Sequence, residues 1–183
     1  MFTWIQNMDW AALHWIHDAL RCPLLDAAMP WVTALGNGGA VWLLTAAVLM
    51  VSHRYRRWGL LLLAALAAGA ALGSGALKPL IARARPCWQE PVPMLIGVPQ
   101  DFSFPSGHTL ASATGATVLT AANRRLGWAA IPLAVLIAFS RLYLFVHFPS
   151  DVCAGAVLGA AMGAAALGVN CKIERRGAGK API

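Results

Sequence analysis

Long apolar runs broken by short polar segments set the pattern of this chain. Residues 59–77 (GLLLLAALAAGAALGSGAL), 107–122, 128–146 and 151–169 approach the roughly 20 apolar residues that carry a helix across a bilayer. The run 38–51 (GGAVWLLTAAVLMV) is shorter and completes a span when extended back through Leu35. Residues 4–20 carry Asp9, His14, His17 and Asp18, which makes them a poor span and predicts an interfacial helix. Residues 23–35 contain Pro30 and are too short to cross alone. The pattern therefore predicts an all-α polytopic membrane protein with five clear spans, preceded over 1–35 by a broken first span or by helices lying on the membrane. One domain, 1–183, accommodates all of it. Prolines at 86, 91, 93, 99 and 105 predict that 78–106 is a loop, and loops of that length are usually functional. Gly69 and Gly73, and Gly155, Gly159 and Gly163, recur at helical spacing and predict close helix packing.

Composition sharpens this picture. Hydrophobic residues make up 59% of the chain and charged residues 11%, and the mean hydropathy is +0.64. A soluble domain carries about a quarter charged residues, so an ordinary soluble protein is excluded. The net charge of +7 does not require nucleic acid. Arginines concentrate in HRYRRW (53–58), NRRLG (123–127) and KIERRGAGK (172–180), segments separated by even numbers of spans. The positive-inside rule places all three in the cytoplasm, with Arg54, Arg56, Arg57, Arg124 and Arg125 as orientation signals. Segment 78–106 and the turn 147–150 then face outward. The acidic, aromatic N-terminus lacks the basic start of a cleavable signal peptide.

Other polar and aromatic residues take plainer readings. Cys22, Cys87, Cys153 and Cys171 form no CxxC or zinc pattern; Cys153 and Cys171 read as packing residues, and a Cys22–Cys87 disulfide is conceivable but not demanded. The tryptophans at 4, 10, 15, 31, 42, 58, 88 and 128 fall mostly near predicted interfaces, as membrane belts do. His14, His17 and His53 read as interfacial or loop residues. Asp101 and Glu90 read as solvated acids of the outer loop, and Arg83 as a headgroup contact or an aid to an anion clamp.

Three clusters converge on the predicted outer face. Lys78 and Arg85-Pro86 stand in KPLIARARP; Pro105-Ser106-Gly107-His108 opens a helix; and Ser140-Arg141, His147 and Asp151 flank a turn. Charges at membrane depth are costly and rarely lack a task. Lys78, Arg85 and Arg141 suit phosphate oxygens. Ser106 and Gly107 lie at a helix start, where free N–H groups favour an anion. Asp151 follows His147 by four residues and can hold its imidazole in one tautomer, freeing the other nitrogen for attack. His108, on another helix, can donate a proton to a leaving oxygen. Ser140 is read as a packing or hydrogen-bonding neighbour of Arg141. The acids show no metal-ligand spacing, so no metal and no cofactor is expected.

The ordered motifs K-x6-RP, PSGH and SR-x5-H-x3-D resemble the three signatures of the type 2 phosphatidic acid phosphatase (PAP2) superfamily, and together they cover residues 78 to 151. The resemblance implies a six-segment helical membrane phosphatase that needs no metal. His147 would be its nucleophile, Asp151 the residue orienting it and His108 the acid/base. Lys78, Arg85, Arg141, Ser106 and Gly107 would bind phosphate. The expected partner is a lipid phosphate or diphosphate in the plasma membrane, with the site facing outward. Undecaprenyl diphosphate is the first candidate, and phosphatidylglycerophosphate and phosphatidic acid are the rivals. A lipid phosphotransferase would use the same residues. A vanadium haloperoxidase is excluded by hydropathy, and a non-enzymatic lipid binder would not need the histidine pair.

Overall fold

The computed structural model describes residues 3–178, so Gly179 and Lys180 of the arginine-rich tail lie outside the described residues. Helices α1 (Thr3–Leu20), α2 (Pro23–Leu35), α3 (Ala40–Val51) and α4 (Arg56–Ala70) lead through a π-helical stretch, Ala71–Leu77, into the short α5 (Lys78–Ile81) and α6 (Pro86–Gln89). Helices α7 (Gly107–Ala122), α8 (Arg124–Tyr143) and α9 (Pro149–Ala178) complete the fold, with no strand among the described residues.

Helix α7 forms the centre because its side chains are small. It buries Thr109, Leu110, Ser112, Thr114, Gly115, Ala116, Val118 and Leu119 against α4, α8 and α9. Its hydroxyls are satisfied within the bundle: Thr114 donates to Leu110 O at 2.9 Å and across to Gly159 O at 3.0 Å. A Cβ at Gly159 would stand 2.2 Å from Leu110 O, so the glycine stripe of α9 lets the two backbones touch. Ser106 caps α7, accepting from Thr109 N at 3.5 Å and from Thr109 Oγ1 at 3.0 Å.

Several expectations change on the structure. Helices Arg56–Gln89, Arg124–Tyr143 and Pro149–Lys172 are long and apolar enough to cross a membrane, and α2 with α3, bent by 44°, would make a fourth as one broken span. At 16 residues, α7 is shorter than an ordinary span. Over 1–35 the chain forms two separate helices, α1 and α2, and the bend that would make a broken span joins α2 to α3 rather than lying within 1–35. The break is the turn Asn37–Gly39, where Gly38 and Gly39 have φ of 58° and 74°. The segment 78–106 is not all loop. The helix runs on through Lys78 to a left-handed Ala82 (φ 47°), and Pro86 starts α6 at the position where its missing N–H is harmless. Trp42 is core rather than belt, 1% exposed with its Nε1–H donated to Ser112 Oγ at 3.0 Å. Cys22 and Cys87 are free thiols.

Candidate active site

A cavity of about 820 Å³ opens where the three sequence clusters meet. Its polar end is lined by Lys78, Arg85, Gly107, His108, Arg141 and His147, and its apolar end by Leu43, Leu63, Leu66, Ala67 and Ala70. Lys78 arrives on the helical extension of α4, Arg85 just before α6, His108 on the first turn of α7 and Arg141 on the last turn of α8. His147 lies in the tight connection between α8 and α9, where Phe145 adopts φ 59°. The α7–α8 hairpin thus returns the chain to the level of α7's start, as the motif spacing requires.

Ser106 and Asp151 stand behind this surface. Ser106 is fully buried and commits its side chain to the α7 cap, while its N–H donates to Asp151 O at 3.1 Å. Asp151 is 0% exposed and receives Phe148 N–H at 2.9 Å. Its Oδ2 lies 3.7 Å from His147 Nδ1, too far for a hydrogen bond. Ser103 fills the gap: its hydroxyl donates to Asp151 Oδ2 at 2.5 Å and lies 3.3 Å from His147 Nδ1. A hydroxyl that donates to the carboxylate must accept from the ring, which puts the proton on Nδ1 and the lone pair on Nε2. Arg85 Nη1 donates to Nε2 at 3.1 Å, consistent with that tautomer. Burial pushes the His147 imidazole down to about 3, with Arg85 and Arg141 adding to the effect and Asp151 opposing it. This favours the neutral ring, the form in which an imidazole can act as a nucleophile.

The bent pair α2–α3 contributes two residues that sequence reasoning missed. Thr33 Oγ1 accepts from Arg141 Nη1 at 2.5 Å. Asn37 Oδ1 lies 3.0 Å from His108 Nε2. A Cβ at Gly36 would come within 2.6 Å of His108 Cδ2, so only glycine lets the ring lie against the hinge. Ser140 bonds Ile137 O at 2.6 Å and stays out of the cavity, in line with its structural reading.

Asp101 is solvent-exposed, as expected of an outer-loop acid, but it is not a bystander. Its carboxylate pairs with Lys78 and, at 2.7 Å, with Arg85 Nη2, while its carbonyl accepts from Arg85 Nε at 2.6 Å. Partial burial alone would raise its pKa, but the hydrogen bond to Lys78 and the charges of Arg85 and Lys78 outweigh it and hold the carboxyl at about 2. An internal anion thus covers two cations of the cavity. Because the carboxyl is depressed, the pairing stabilises the fold above the usual carboxylate range and is lost as pH falls through about 2. Asp101→Asn is expected to tighten inhibition by inorganic phosphate at pH 7, since Lys78 and Arg85 Nη2 lose their competing carboxylate, and to lower Tm. Phosphate inhibition constants and thermal unfolding in detergent measure the two effects, and weaker phosphate binding would contradict the competition. Glu90 likewise has a partner, His14 Nε2 at 2.8 Å.

Arg83 turns away from the cavity, against both sequence readings, and meets Asp151 from behind at 2.6 Å. Among the described residues, no three His, Cys, Asp or Glu side chains are grouped to hold a metal ion.

A helical bundle with bilayer-length apolar helices and a cationic cavity bearing two histidines is the architecture of a membrane protein that handles an anion. The chain belongs to the PAP2 superfamily, whose family model matches residues 58–173. It is 37% identical over 121 residues to an undecaprenyl-diphosphatase of Sulfolobus acidocaldarius, covering 65% of this chain and 58% of that protein. It is 40% identical over 93 residues to a decaprenylphosphoryl-5-phosphoribose phosphatase of Mycobacterium tuberculosis, covering 48% of each. The chain thus spans about half the length of these relatives. Its fold matches a transmembrane PAP2-type phosphatidylglycerolphosphate phosphatase of Bacillus subtilis with a TM-score of 0.78 and 28% identity, over 94% of this chain and 89% of that one. It also matches LpxE of Aquifex aeolicus with a TM-score of 0.76 and 31% identity, over 86% and 93%.

Proposed function

We propose that this protein is a membrane lipid phosphatase that works through a phosphohistidine on His147 and without a metal ion. The observation that carries the reading is that His147 and His108 line one cavity together with Lys78, Arg85 and Arg141. The three cations bind the phosphate oxygens, helped by backbone N–H groups around Gly107; Ser106 shapes that helix start. His147 Nε2 attacks phosphorus, and the bond to the leaving oxygen breaks as protonated His108 gives that oxygen its proton. Neutral His108 then takes a proton from water, whose oxygen displaces His147 from phosphorus and releases inorganic phosphate. Asp151, acting through Ser103, supports the positive charge that His147 carries while phosphorylated.

The apolar end of the cavity suits a substrate whose tail stays among the helices. Undecaprenyl diphosphate is the leading substrate, since relatives from two lineages bear that activity in their names; phosphatidylglycerophosphate and phosphatidic acid follow. The five-span arrangement, with α3, α4, α7, α8 and α9 crossing the plasma membrane and the site on the outer face, rests on the arginine distribution. The test is phosphate release by the detergent-purified protein in excess EDTA with these three lipids side by side. Release that persists in EDTA, with the highest kcat/KM on undecaprenyl diphosphate, is the expected result. No release from any of them, restored by adding an acceptor lipid, would replace the hydrolase with a phosphotransferase.

A further inference from the structure

Behind His147 lies a second charged centre that the three motifs do not describe. Arg83 is 7% exposed and its guanidinium forks between two buried carboxylates from opposite ends of the chain. Nη1 donates to Asp151 Oδ1 at 2.6 Å and to Ser150 Oγ at 2.7 Å. Nη2 donates to Asp9 Oδ2 at 2.6 Å and to Gln6 Oε1 at 2.9 Å. The Phe148 ring lies beneath, 4.1 Å from the guanidinium carbon. Asp9, 3% exposed on α1, also accepts the Ser150 N–H at 2.8 Å and the Ser150 hydroxyl at 2.5 Å, at the first turn of α9.

We infer that Asp9 is a positioning residue of the active site, acting through Arg83 and Ser150 to fix the charge and place of Asp151 behind His147. The inference rests on the phosphatase reading and deepens it. A lone Arg83–Asp151 pair would be neutral, and the guanidinium would draw the carboxylate's charge away from His147. Asp9 shares Arg83, so the Asp9–Arg83–Asp151 group keeps one net negative charge, and Asp151 keeps its capacity to support a cationic imidazole. The geometry matters as much as the charge: Asp9 holds Ser150, the residue before Asp151, at the start of α9, where the helix dipole favours a carboxylate. Helix α1 is thereby part of the catalytic apparatus rather than a membrane-surface ornament. An acid buried in an otherwise apolar helix contact is costly unless it is paired for a purpose.

The test compares wild type with Asp9→Asn and Arg83→Lys as full-length, detergent-purified proteins, on whichever lipid phosphate the wild type turns over fastest. Rates are referred to active sites titrated with vanadate, so that a misfolded fraction does not count as lost catalysis. For Asp9→Asn, kcat is expected to fall about 10- to 100-fold, the range found when outer partners of a working histidine are removed. KM and vanadate affinity should stay within about twofold, because no cavity cation touches Asp9. Arg83→Lys, which reaches one carboxylate and not both, is expected to show the same split and serves where Asp9→Asn gives no monodisperse protein. Wild-type kcat per titrated site in these variants, even with lowered Tm, would show a purely structural contact and overturn the inference. A wild type that hydrolyses no lipid phosphate would instead overturn the phosphatase reading, and the inference with it.

Discussion

His147→Ala is expected to lose phosphate release by about 10⁴-fold or more, the scale on which removal of a covalent nucleophile is felt. The fold should survive, because the neighbours of His147 keep other partners. Ser103 still donates to Asp151, and Arg85 still holds Val146 O at 2.7 Å and Asp101 at 2.7 Å. The space vacated is continuous with the cavity and can fill with water, so the loss of packing is partly offset. Two measurements check the result: turnover of the purified variant, and acid-labile, base-stable phosphate on quenched protein, present in wild type and absent in His147→Ala. His108→Ala is expected to lose turnover of lipid substrates as well, but the loss should shrink for a p-nitrophenyl leaving group, which departs without a proton. Near-wild-type hydrolysis by a well-folded His147→Ala protein would remove the covalent mechanism outright.

How much of this was legible in the sequence depends on the distance over which the physics acts. The helices from residue 56 onward announced themselves by hydropathy, because a long apolar run has few alternatives in a bilayer. The helix starts at Ser106–Gly107 and Pro149 were legible for the same local reason. The cavity end formed by Lys78, Arg85, His108, Arg141 and His147 followed from motif order plus the hairpin geometry of α7 and α8. What the sequence withheld was partnership over long separations. Asp9 reads as a flaw in a poor span until Arg83, on a distant element, is seen to need it. Thr33 and Asn37 belong to the proline-bearing stretch and the glycine turn that hydropathy left ambiguous, yet they touch Arg141 and His108. Ser103 could have been suspected from its place beside the PSGH motif, but period and propensity say nothing about a hydroxyl bridging Asp151 and His147. Asp101 is solvent-exposed as its sequence reading had it, but the argument that an acid repels substrate phosphate did not foresee that it pairs with Lys78 and Arg85, cations that would otherwise repel each other. Trp42 was misassigned because belt statistics ignore a single buried hydroxyl, Ser112, that satisfies the indole.

Arg141 offers the sharpest separation of stability from activity. It is 4% exposed, makes no ion pair among the described residues, and its buried Nε meets no protein acceptor among them. Among the described residues, only Thr33 Oγ1 accepts a hydrogen bond from its side chain. A buried donor left unsatisfied costs about 1–3 kcal/mol, and more for a charged group. A cation this buried with one neutral protein partner is costly to the fold, and a bound phosphate would complete its coordination. Arg141→Met, close in length and apolar, is expected to raise Tm of the empty protein while lowering kcat/KM about 10²- to 10³-fold, the usual effect of losing one donor to a developing anion. Arg141→Lys keeps the charge but not the planar fork, and should recover only part of the rate. Stabilisation by added vanadate should also shrink in both variants, because less of the ligand's binding free energy is linked to folding. Thermal unfolding with and without vanadate, run beside initial rates, reads all three effects. A fall in Tm of the empty Arg141→Met protein would mean that the arginine already has its partner within the fold, and that its place at the cavity wall serves packing rather than the anion.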